Sequence, residues 1–367
     1  MKILLIGEYS NVHATLAEGL RAFGHQVTVL SNGDFWKNYP RDIDLVRTPG
    51  KWGGIRYLLK AYSILPHLRG YDIVHLINPM FLEVKAERIL PFYRQLRKQN
   101  GRIFLGSFGI DKPWVEEGVK SDTFRYSDFY IYGKRRYNAF TQEMEADWLY
   151  GAKSVLFDQI ADDCDGIVAG LYENYVCCQA HYAGKLHFIP LPINLGKISS
   201  KLPHPEYEGI RFFIGIQRTR SEYKGTDIML QALEQLHKVY PDRIQIEKAE
   251  SVPFPTYQYM MDRSDVLLDQ LYSYTPAMNG LLAMAKGLVL VGGGEEENYQ
   301  IIKEDELRPI VNVRPYVIDV YRQMEQHIIQ SPREELKRRS EDSIAYVRRH
   351  HDHLTVAHQY IKLWETA

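Results

Sequence analysis

The fold is decided by the stretch Asp265-Val-Leu-Leu-Asp269-Gln270, followed by Pro276-Ala-Met-Asn279-Gly280-Leu-Leu282-Ala-Met-Ala-Lys-Gly287. An earlier strand-like run, Arg211-Phe-Phe-Ile-Gly-Ile216, leads in the same way through a loop to Lys224-Gly225 and a predicted helix. Loops at the carboxyl ends of parallel strands are where open α/β sheets bind ligands. A cation in one loop and a helix N-terminus in the next both favour a phosphate. The C-terminal half is therefore predicted to hold a phosphorylated ligand.

The N-terminal half shows the same alternation of strand and helix. Lys2-Ile-Leu-Leu-Ile6 predicts a buried parallel strand, residues 15–23 have helical periodicity, and Gln26-Val-Thr-Val-Leu30 predicts the next strand. The alternation breaks at Pro190-Leu-Pro192-Ile-Asn194 and restarts near residue 211. We therefore predict an α/β protein with two doubly wound, Rossmann-like domains, residues 1–195 and 196–350.

Composition excludes several classes of protein. The 367 residues suit about two domains, and a net charge of −1 provides no overall field to attract nucleic acid. Three cysteines are too few for a disulfide framework and lack metal-ligand spacing. We predict that the protein uses no metal and no cofactor. No apolar run is long enough to span a membrane, and the amino terminus enters a strand without a signal peptide. A cytoplasmic location is expected.

The loop after the first strand, Gly7-Glu8-Tyr9-Ser10-Asn11-Val12-His13, has only the first glycine of a dinucleotide-binding G-x-G-x-x-G pattern. Binding of NAD or FAD is therefore not expected there. His13 could contact a substrate hydroxyl or donate a proton. The alternative is a surface or helix N-terminal histidine without a catalytic role.

Arg218, Arg220 and Lys224 lie within seven residues, just after a predicted strand. Cations in that position would neutralise a diphosphate. The alternative is that these side chains are solvated, as most loop cations are.

The small-residue helix begins near Pro276, and the free N–H groups of Ala277, Met278 and Asn279 could bind phosphate or sugar oxygens. The alternative is a tightly packed helix start with no ligand. Further on, a permissive glycine turn, residues 292–294, precedes Glu295, Glu296 and Glu297. These acids have a catalytic or ribose-binding interpretation, but they would also stabilise a helix N-terminus through its dipole.

Residues 47–71 contain five cations and no acid, with tryptophan, tyrosine and leucine side chains between them. The pattern fits a surface helix that contacts an anionic membrane or a lipid-linked acceptor. An ordinary amphipathic helix of a doubly wound domain is the favoured alternative.

These motifs resemble glycosyltransferases with two Rossmann-like domains that face a cleft, the GT-B fold. More narrowly, the chain is similar to the family-4 (group 1) retaining glycosyltransferases of bacterial polysaccharide clusters. The resemblance rests on the strand and helix around residues 265–287, on Lys224-Gly225 with Arg218 before it, and on Ile189-Pro-Leu-Pro-Ile-Asn194. It implies a nucleotide-diphosphate-sugar donor, a saccharide or lipid-linked acceptor and retention of the anomeric configuration. It also implies that residues 351–367 form a helix that returns to the N-terminal domain.

The chain departs from that family at three positions. Tyr274 and Leu282 stand where the family usually has two glutamates, and Phe108 stands where many relatives have histidine. From the resemblance and the motifs together, the expected catalytic residues are His13, Asp111 and Glu297. The expected donor-binding residues are Gly7, Arg218, Arg220, Lys224, Glu250, Ser251, Tyr274, Thr275, Pro276, Ala277, Met278, Asn279 and Leu282.

Two other functions stay open. One is a degenerate relative that binds a nucleotide sugar without turnover. The other is a sugar-phosphate enzyme, such as an epimerase, on the same fold. Even for a transferase, the sequence names neither the sugar nor the acceptor.

Overall fold

The computed structural model describes residues 1–202, 209–216 and 224–366. The chain divides into two units, each built on its own parallel sheet. The first comprises Met1–Lys120, Tyr137–Asn194 and His353–Ala367, and the second comprises Ser121–Arg136 and Leu195–Asp352. The prediction of two doubly wound α/β halves is confirmed.

The first unit has a seven-stranded sheet in the order β3-β2-β1-β4-β5-β8-β9, with every neighbouring pair parallel. Its strands are β1 (Lys2–Ile6), β2 (Gln26–Ser31), β3 (Ile43–Asp44), β4 (Ile73–Leu76), β5 (Arg102–Ser107), β8 (Gly166–Ala169) and β9 (Leu186–Phe188). Its α-helices are α1 (Val12–Ala22), α2 (Gly53–Ile64), α3 (Ala86–Gln99), α4 (Lys112–Gly118), α5 (Ala139–Glu145), α6 (Ala152–Asp163), α7 (Tyr172–Tyr182) and, at the end of the chain, α14 (His353–Thr366).

The second unit has a five-stranded parallel sheet in the order β11-β10-β12-β13-β14. Its strands are β10 (Ile210–Ile216), β11 (Ile244–Glu250), β12 (Val266–Asp269), β13 (Val289–Gly292) and β14 (Val311–Asn312). Its α-helices are α8 (Thr226–Val239), α9 (Phe254–Asp262), α10 (Met278–Lys286), α11 (Glu296–Ile302), α12 (Val317–Met324) and α13 (Arg333–His350). A core of β-branched and aliphatic side chains from β10, β12 and β13 packs against α8 and α12, and α10 packs with α13.

The segment Ser121–Arg136, called the arm below, belongs to the second unit, although it lies within the predicted first domain, residues 1–195. It contains a two-stranded antiparallel hairpin of β6 (Tyr130–Ile131) and β7 (Lys134–Arg135), and Ile131 packs on the core of the second unit. Its polar partners lie 149 to 172 residues further along the chain. Hydrophobic periodicity does not reveal contacts at that separation, so the sequence does not predict where the arm packs.

The last helix, α14, packs on α1 in the first unit. The two backbones approach so closely that a Cβ atom at Gly19 would lie 2.4 Å from the carbonyl oxygen of His353. Tyr360 and Trp364 of α14 are buried against the ring of His75 on β4, at centroid distances of 5.4 and 6.3 Å. The end of the chain therefore completes the core of the first unit.

Candidate functional site

At the carboxyl ends of β10 and β12, Lys224 contacts the loop that follows β12. The backbone N–H of Leu271 donates to the carbonyl oxygen of Lys224 at 2.9 Å. Gly225 has a φ of 69°, and a Cβ atom there would lie 2.6 Å from the Cβ of Leu271. Glycine is therefore required both for the left-handed backbone and for the close approach. This contact fixes Lys224 beside the end of β12.

Asp269, the last residue of β12, connects the lysine to the start of α10. Its buried carboxylate accepts hydrogen bonds from the side chain of Asn279 and the backbone N–H of Gly280, and Lys224 lies close enough to stabilise its charge. Burial is the larger effect and raises the pKa of Asp269. One carboxylate thus marks the point where Lys224 and the N-terminus of α10 converge.

The N-terminus of α10 remains open to an anion. Its N-cap residue, Ala277, has no polar side chain that could cap the helix. Asp269 accepts a hydrogen bond from the N–H of Gly280. The N–H groups of Met278 and Asn279 lie in the first turn, where α-helices leave donors without intrahelical acceptors. Ala277 and Asn279 are partly exposed. The arrangement therefore offers two backbone donors and a cation in the same region.

Asn279 is held in place by a second contact. The hydroxyl of Tyr257 donates to its Oδ1 at 3.0 Å, and the Tyr257 ring lies on Gly215, where a Cβ atom would meet the ring at 2.8 Å. The orientation of the Asn279 amide is fixed because Tyr257 supplies a donor to its oxygen and Asp269 supplies an acceptor to its NH2 group. The helix start is thus preorganised without a ligand.

Tyr274 lies under the arm. The backbone N–H of Arg125 donates to the Tyr274 hydroxyl at 2.8 Å, and the Arg125 guanidinium lies 4.8 Å from the centre of the Tyr274 ring. The rings of Phe124 and Tyr126 flank it at 5.6 and 5.0 Å. Where the family that this chain resembles has a glutamate, this chain therefore has a tyrosine that is 2% exposed and covered by residues of the arm.

The three acids after the glycine turn all form ion pairs. Arg125 binds both carboxylate oxygens of Glu297, at 2.5 and 3.0 Å, and lies 3.0 Å from Glu295. The Tyr126 hydroxyl donates to Glu295 at 2.7 Å, while Glu296 pairs with Arg308 at 2.5 Å. The Arg125 hydrogen bonds hold the pKa of Glu297 below its usual value. Glu297 is therefore an ionised partner of the arm.

Close contacts between backbones, and not a turn that needs flexible residues, account for the three glycines at 292–294. The φ angles of Gly292, Gly293 and Gly294 lie outside the left-handed region. A Cβ atom at Gly292 would lie 2.3 Å from the carbonyl oxygen of Asp269, and one at Gly293 would lie 2.2 Å from that of Ser273. The glycines let β13 and the loop after β12 touch through their backbones.

His13, the expected proton donor, is fully buried in the first unit. Its Nδ1–H donates to the carbonyl oxygen of Gly7 at 2.8 Å, so Nε2 accepts from Nδ1–H of His75 at 2.8 Å. Burial lowers the pKa of His13 to about 3. Glu8 closes the start of α1 by accepting from the N–H of Ala14 at 2.8 Å, and burial raises its pKa to about 8. This placement favours a structural histidine.

Asp111, the second expected catalytic residue, is also fully buried. It begins α4 by accepting from the N–H of Trp114 at 3.0 Å, and it accepts from the Ser107 hydroxyl at 2.5 Å. Burial raises its pKa to about 6. Phe108, where many members of the resembling family have histidine, is buried with its ring 6.0 Å from that of His75. Helix capping accounts for the environment of Asp111.

The remaining expected residues fall in four groups. Arg218 and Arg220 lie outside the described residues. Glu250 ends β11 with its carboxylate 3.8 Å from Lys248, and Ser251 follows with a φ of 50°. In the β12–α10 loop, Thr275 and Pro276 are buried, and Leu282 is partly buried on α10. Gly7 has a φ of 87° and supports α1. The structure therefore brings together Lys224 and Ala277–Asn279, and separately Tyr274 and Glu297.

The first unit contains a pocket of about 910 Å³ near the carboxyl ends of β2, β3 and β4. Its walls include Phe35, the loop 47–50 and residues 82–87, with Arg47, Lys85 and Lys153 as cations and Glu83, Glu87 and Asp147 as acids. Sequence patterns did not predict this pocket, because it is assembled from four separate segments. Among the described residues no helix is long and apolar enough to cross a membrane, and no group of side chains has metal-binding geometry.

A scan of protein-family models and a search of curated proteins found no match for this sequence. Solved structures, in contrast, match over nearly the whole chain. Sucrose-phosphate synthase from Thermosynechococcus elongatus is 13% identical, with a TM-score of 0.60 over 100% of this chain and 98% of that chain. The catalytic domain of starch synthase IV from Arabidopsis thaliana, bound to ADP and acarbose, is 11% identical, with a TM-score of 0.54 over 100% and 99%.

The chain has the GT-B fold. A protein described as a UDP-N-acetylglucosamine 2-epimerase from Listeria monocytogenes also matches, with 10% identity and a TM-score of 0.54 over 98% of this chain and 94% of that chain. At these identities the likeness establishes the fold and leaves the activity to the residues of the site.

Proposed function

We propose that this protein is a glycosyltransferase that moves a sugar from a nucleotide-diphosphate-sugar donor to a saccharide or lipid-linked acceptor. The observation that carries the proposal is the convergence of Lys224 and the open N-terminus of α10 on Asp269, at the carboxyl edge of a parallel sheet. This edge is where doubly wound sheets bind ligands. A cation and free backbone N–H groups are suited to a diphosphate.

The structural neighbours support the same proposal. The sucrose-phosphate synthase and the starch synthase are named for sugar-transfer products, and the starch synthase structure contains ADP. The narrower assignment, a family-4 retaining enzyme of bacterial surface-polysaccharide synthesis, is supported by the resemblance of Lys224-Gly225 and Ala283-Met-Ala-Lys-Gly287 to that family.

The chemistry follows from where negative charge develops. Cleavage of the bond between the sugar C1 and the phosphate oxygen leaves that charge on the departing diphosphate. The Lys224 ammonium and the N–H groups of Met278 and Asn279 would stabilise it, and because they are already oriented they need little reorganisation. Arg218 and Arg220, which precede Lys224 in the sequence, would add positive charge. The proposal assigns this stabilisation to the chain's own groups and requires no metal ion.

Asp269 has a positioning role in this scheme. It fixes the side chain of Asn279 and the N–H of Gly280, which orients the first turn of α10. Because burial raises its pKa, the arrival of a diphosphate beside it would favour its protonated form further. The cationic charge of Lys224 would then be directed to the ligand.

A second candidate function, binding of a nucleotide sugar without turnover, is favoured by one specific observation. Tyr274 and Leu282 replace the family's two glutamates, and the nearby Glu297 and Glu295 are paired with Arg125. A third, a sugar-phosphate enzyme such as an epimerase, is supported by the fold shared with the Listeria monocytogenes protein.

A donor panel separates the three functions. The purified protein is incubated with nucleotide sugars of different base and sugar, with and without candidate acceptors, and nucleotide and sugar products are quantified. Transfer of sugar to an acceptor supports the transferase. Binding without turnover of any donor supports the second function, and release of free nucleotide without transfer supports the third. Lys224→Ala should lose the activity, while Lys238→Ala, an exposed lysine at the other end of α8, should retain it.

A further inference from the structure

Helix α2 exposes an apolar stripe on its surface. Trp52, Ile55, Leu59 and Tyr62 recur at intervals of three and four residues, so they share one face of the helix. Their side chains are 66%, 50%, 67% and 40% exposed. The opposite face, with Tyr57 and Ala61, is buried. The helix therefore has two apolar faces, and only one of them is covered.

The exposed apolar residues are concentrated in this region. Of the eighteen large hydrophobic side chains exposed among the described residues, seven lie between residues 35 and 62. Phe35, 68% exposed, lines the same pocket as the loop 47–50, which leads directly into Trp52. Scattered single exposed hydrophobics are normal, but a cluster of this kind marks an interaction surface.

Cations lie beside the stripe. Arg56 and Lys60 occupy the neighbouring exposed face of α2, and Lys51 precedes it. There is no acid between Arg47 and Arg69. Lys60 lies 4.0 Å from Asp44, with both side chains about half exposed, so that pair contributes little. Neither Lys51 nor Arg56 forms an ion pair with any described residue. The charge of the surface is therefore left for an external anion.

We propose that the α2 surface, comprising Trp52, Ile55, Leu59 and Tyr62 with Lys51, Arg56 and Lys60, binds the anionic face of a lipid membrane. The helix has 12 residues, too few to span a bilayer, so it would lie in the plane of the interface. Tryptophan and tyrosine suit the headgroup level, and long cationic side chains reach from an apolar face to anionic headgroups. These features favour a membrane over a folded protein partner.

The surface also bears on the acceptor. The pocket of about 910 Å³ shares Phe35 and the loop 47–50 with this region, and Arg47, Lys85 and Lys153 lie in its walls. A membrane bound along α2 would present its headgroups beside that pocket. If the proposed function holds, this position of the membrane favours a lipid-linked acceptor with an anionic headgroup over a free saccharide.

The test is co-sedimentation of the full chain with vesicles of phosphatidylcholine alone or mixed with phosphatidylglycerol. The wild type should sediment with the mixed vesicles, and rising salt should release it because screening weakens the cationic contribution. Lys51→Ser with Arg56→Ser should weaken binding roughly fivefold per cation. Trp52→Ser with Leu59→Ser should weaken it at least about tenfold. The matched control is Val239→Ser with Tyr259→Ser, two similarly exposed residues of the second unit, which should bind as the wild type does.

A wild type that stays in the supernatant with mixed vesicles overturns the proposal, as do α2 variants that bind like the control. Thermal unfolding of each variant checks that it is folded. Donor binding is measured on the same samples. Retained donor binding with absent vesicle binding refutes the membrane surface alone, whereas vesicle binding without binding of any donor refutes the proposed function alone.

Discussion

The arm should open when Arg125 is truncated. Arg125 makes two hydrogen bonds to Glu297, at 2.5 and 3.0 Å, and an ion pair at 3.0 Å with Glu295, whose side chain is only 10% exposed. Hydrogen bonds to charged groups contribute about 1.5–3 kcal/mol. Because the Arg125 side chain is 44% exposed, solvent screening reduces the total well below the sum of three such contacts, to about 2–3 kcal/mol. Arg125→Ala should therefore raise the opening equilibrium of Ser121–Arg136 roughly 30- to 150-fold.

Hydrogen–deuterium exchange of peptides from the arm measures that opening directly, because exchange reports local unfolding free energies. Arg125→Lys keeps the charge but loses the bidentate geometry, so its exchange should lie between those of the wild type and the alanine variant. Arg348→Ala, an exposed arginine of α13, is the control and should leave the arm unchanged. Arm exchange in Arg125→Ala equal to that of the wild type would show that these ion pairs do not hold the arm.

Three further predictions concern stability and activity. Burial lowers the pKa of His75, so below about pH 6.5 the unfolded chain takes up a proton at this residue that the folded chain excludes. The stability that His75 contributes is therefore complete above pH 6.5 and declines below it. The difference in unfolding free energy between the wild type and His75→Leu, measured by urea unfolding across pH, should change by about 1.4 kcal/mol per pH unit below 6.5. Gly293→Ala should destabilise by about 1–3 kcal/mol, because its methyl group would lie 2.2 Å from a backbone oxygen, whereas Gly184→Ala, which meets open space, should have little effect in the same thermal unfolding assay. Leu282→Ala should lower the unfolding free energy by about 1–2 kcal/mol, less than the loss of a fully buried leucine, because Leu282 is only partly buried. Glu297→Gln should lower transfer activity, because Glu297 holds the arm through Arg125. Full activity of Glu297→Gln in steady-state kinetics would remove that carboxylate from the mechanism.

Much of the fold could be predicted because it rests on local patterns. Apolar runs such as residues 3–6 and 266–268 are buried on both faces of parallel sheets, so hydrophobicity alone marks them. Gly225 precedes α8 and Gly287 ends α10, and both have positive φ angles, which favour glycine. The convergence of Lys224 on α10 followed from the rule that strand ends of one parallel sheet share an edge.

The rest could not be predicted because it depends on contacts between distant segments. The arm returns to the second unit through Arg125 and Glu297, which are 172 residues apart, and no pattern in the sequence around Arg125 pairs it with the acids at 295–297. His13 lies at the start of a helix, but its burial in the core and its contact with His75, 62 residues later, belong to the tertiary structure. The triple glycine was attributed to backbone freedom, whereas its cause is a neighbouring backbone that only the tertiary structure reveals.

The most direct test of the central claim is calorimetric titration of nucleoside diphosphates into the wild type, Lys224→Ala and the control Lys238→Ala. The account predicts that a diphosphate binds the wild type and the control equally and binds Lys224→Ala about tenfold or more weakly, because a charge-assisted contact of about 1.5–3 kcal/mol is lost. The corresponding nucleoside monophosphate should bind less tightly and depend less on Lys224. Equal diphosphate affinity in all three proteins, or no binding to the wild type, would contradict a donor site at the edge of the second sheet.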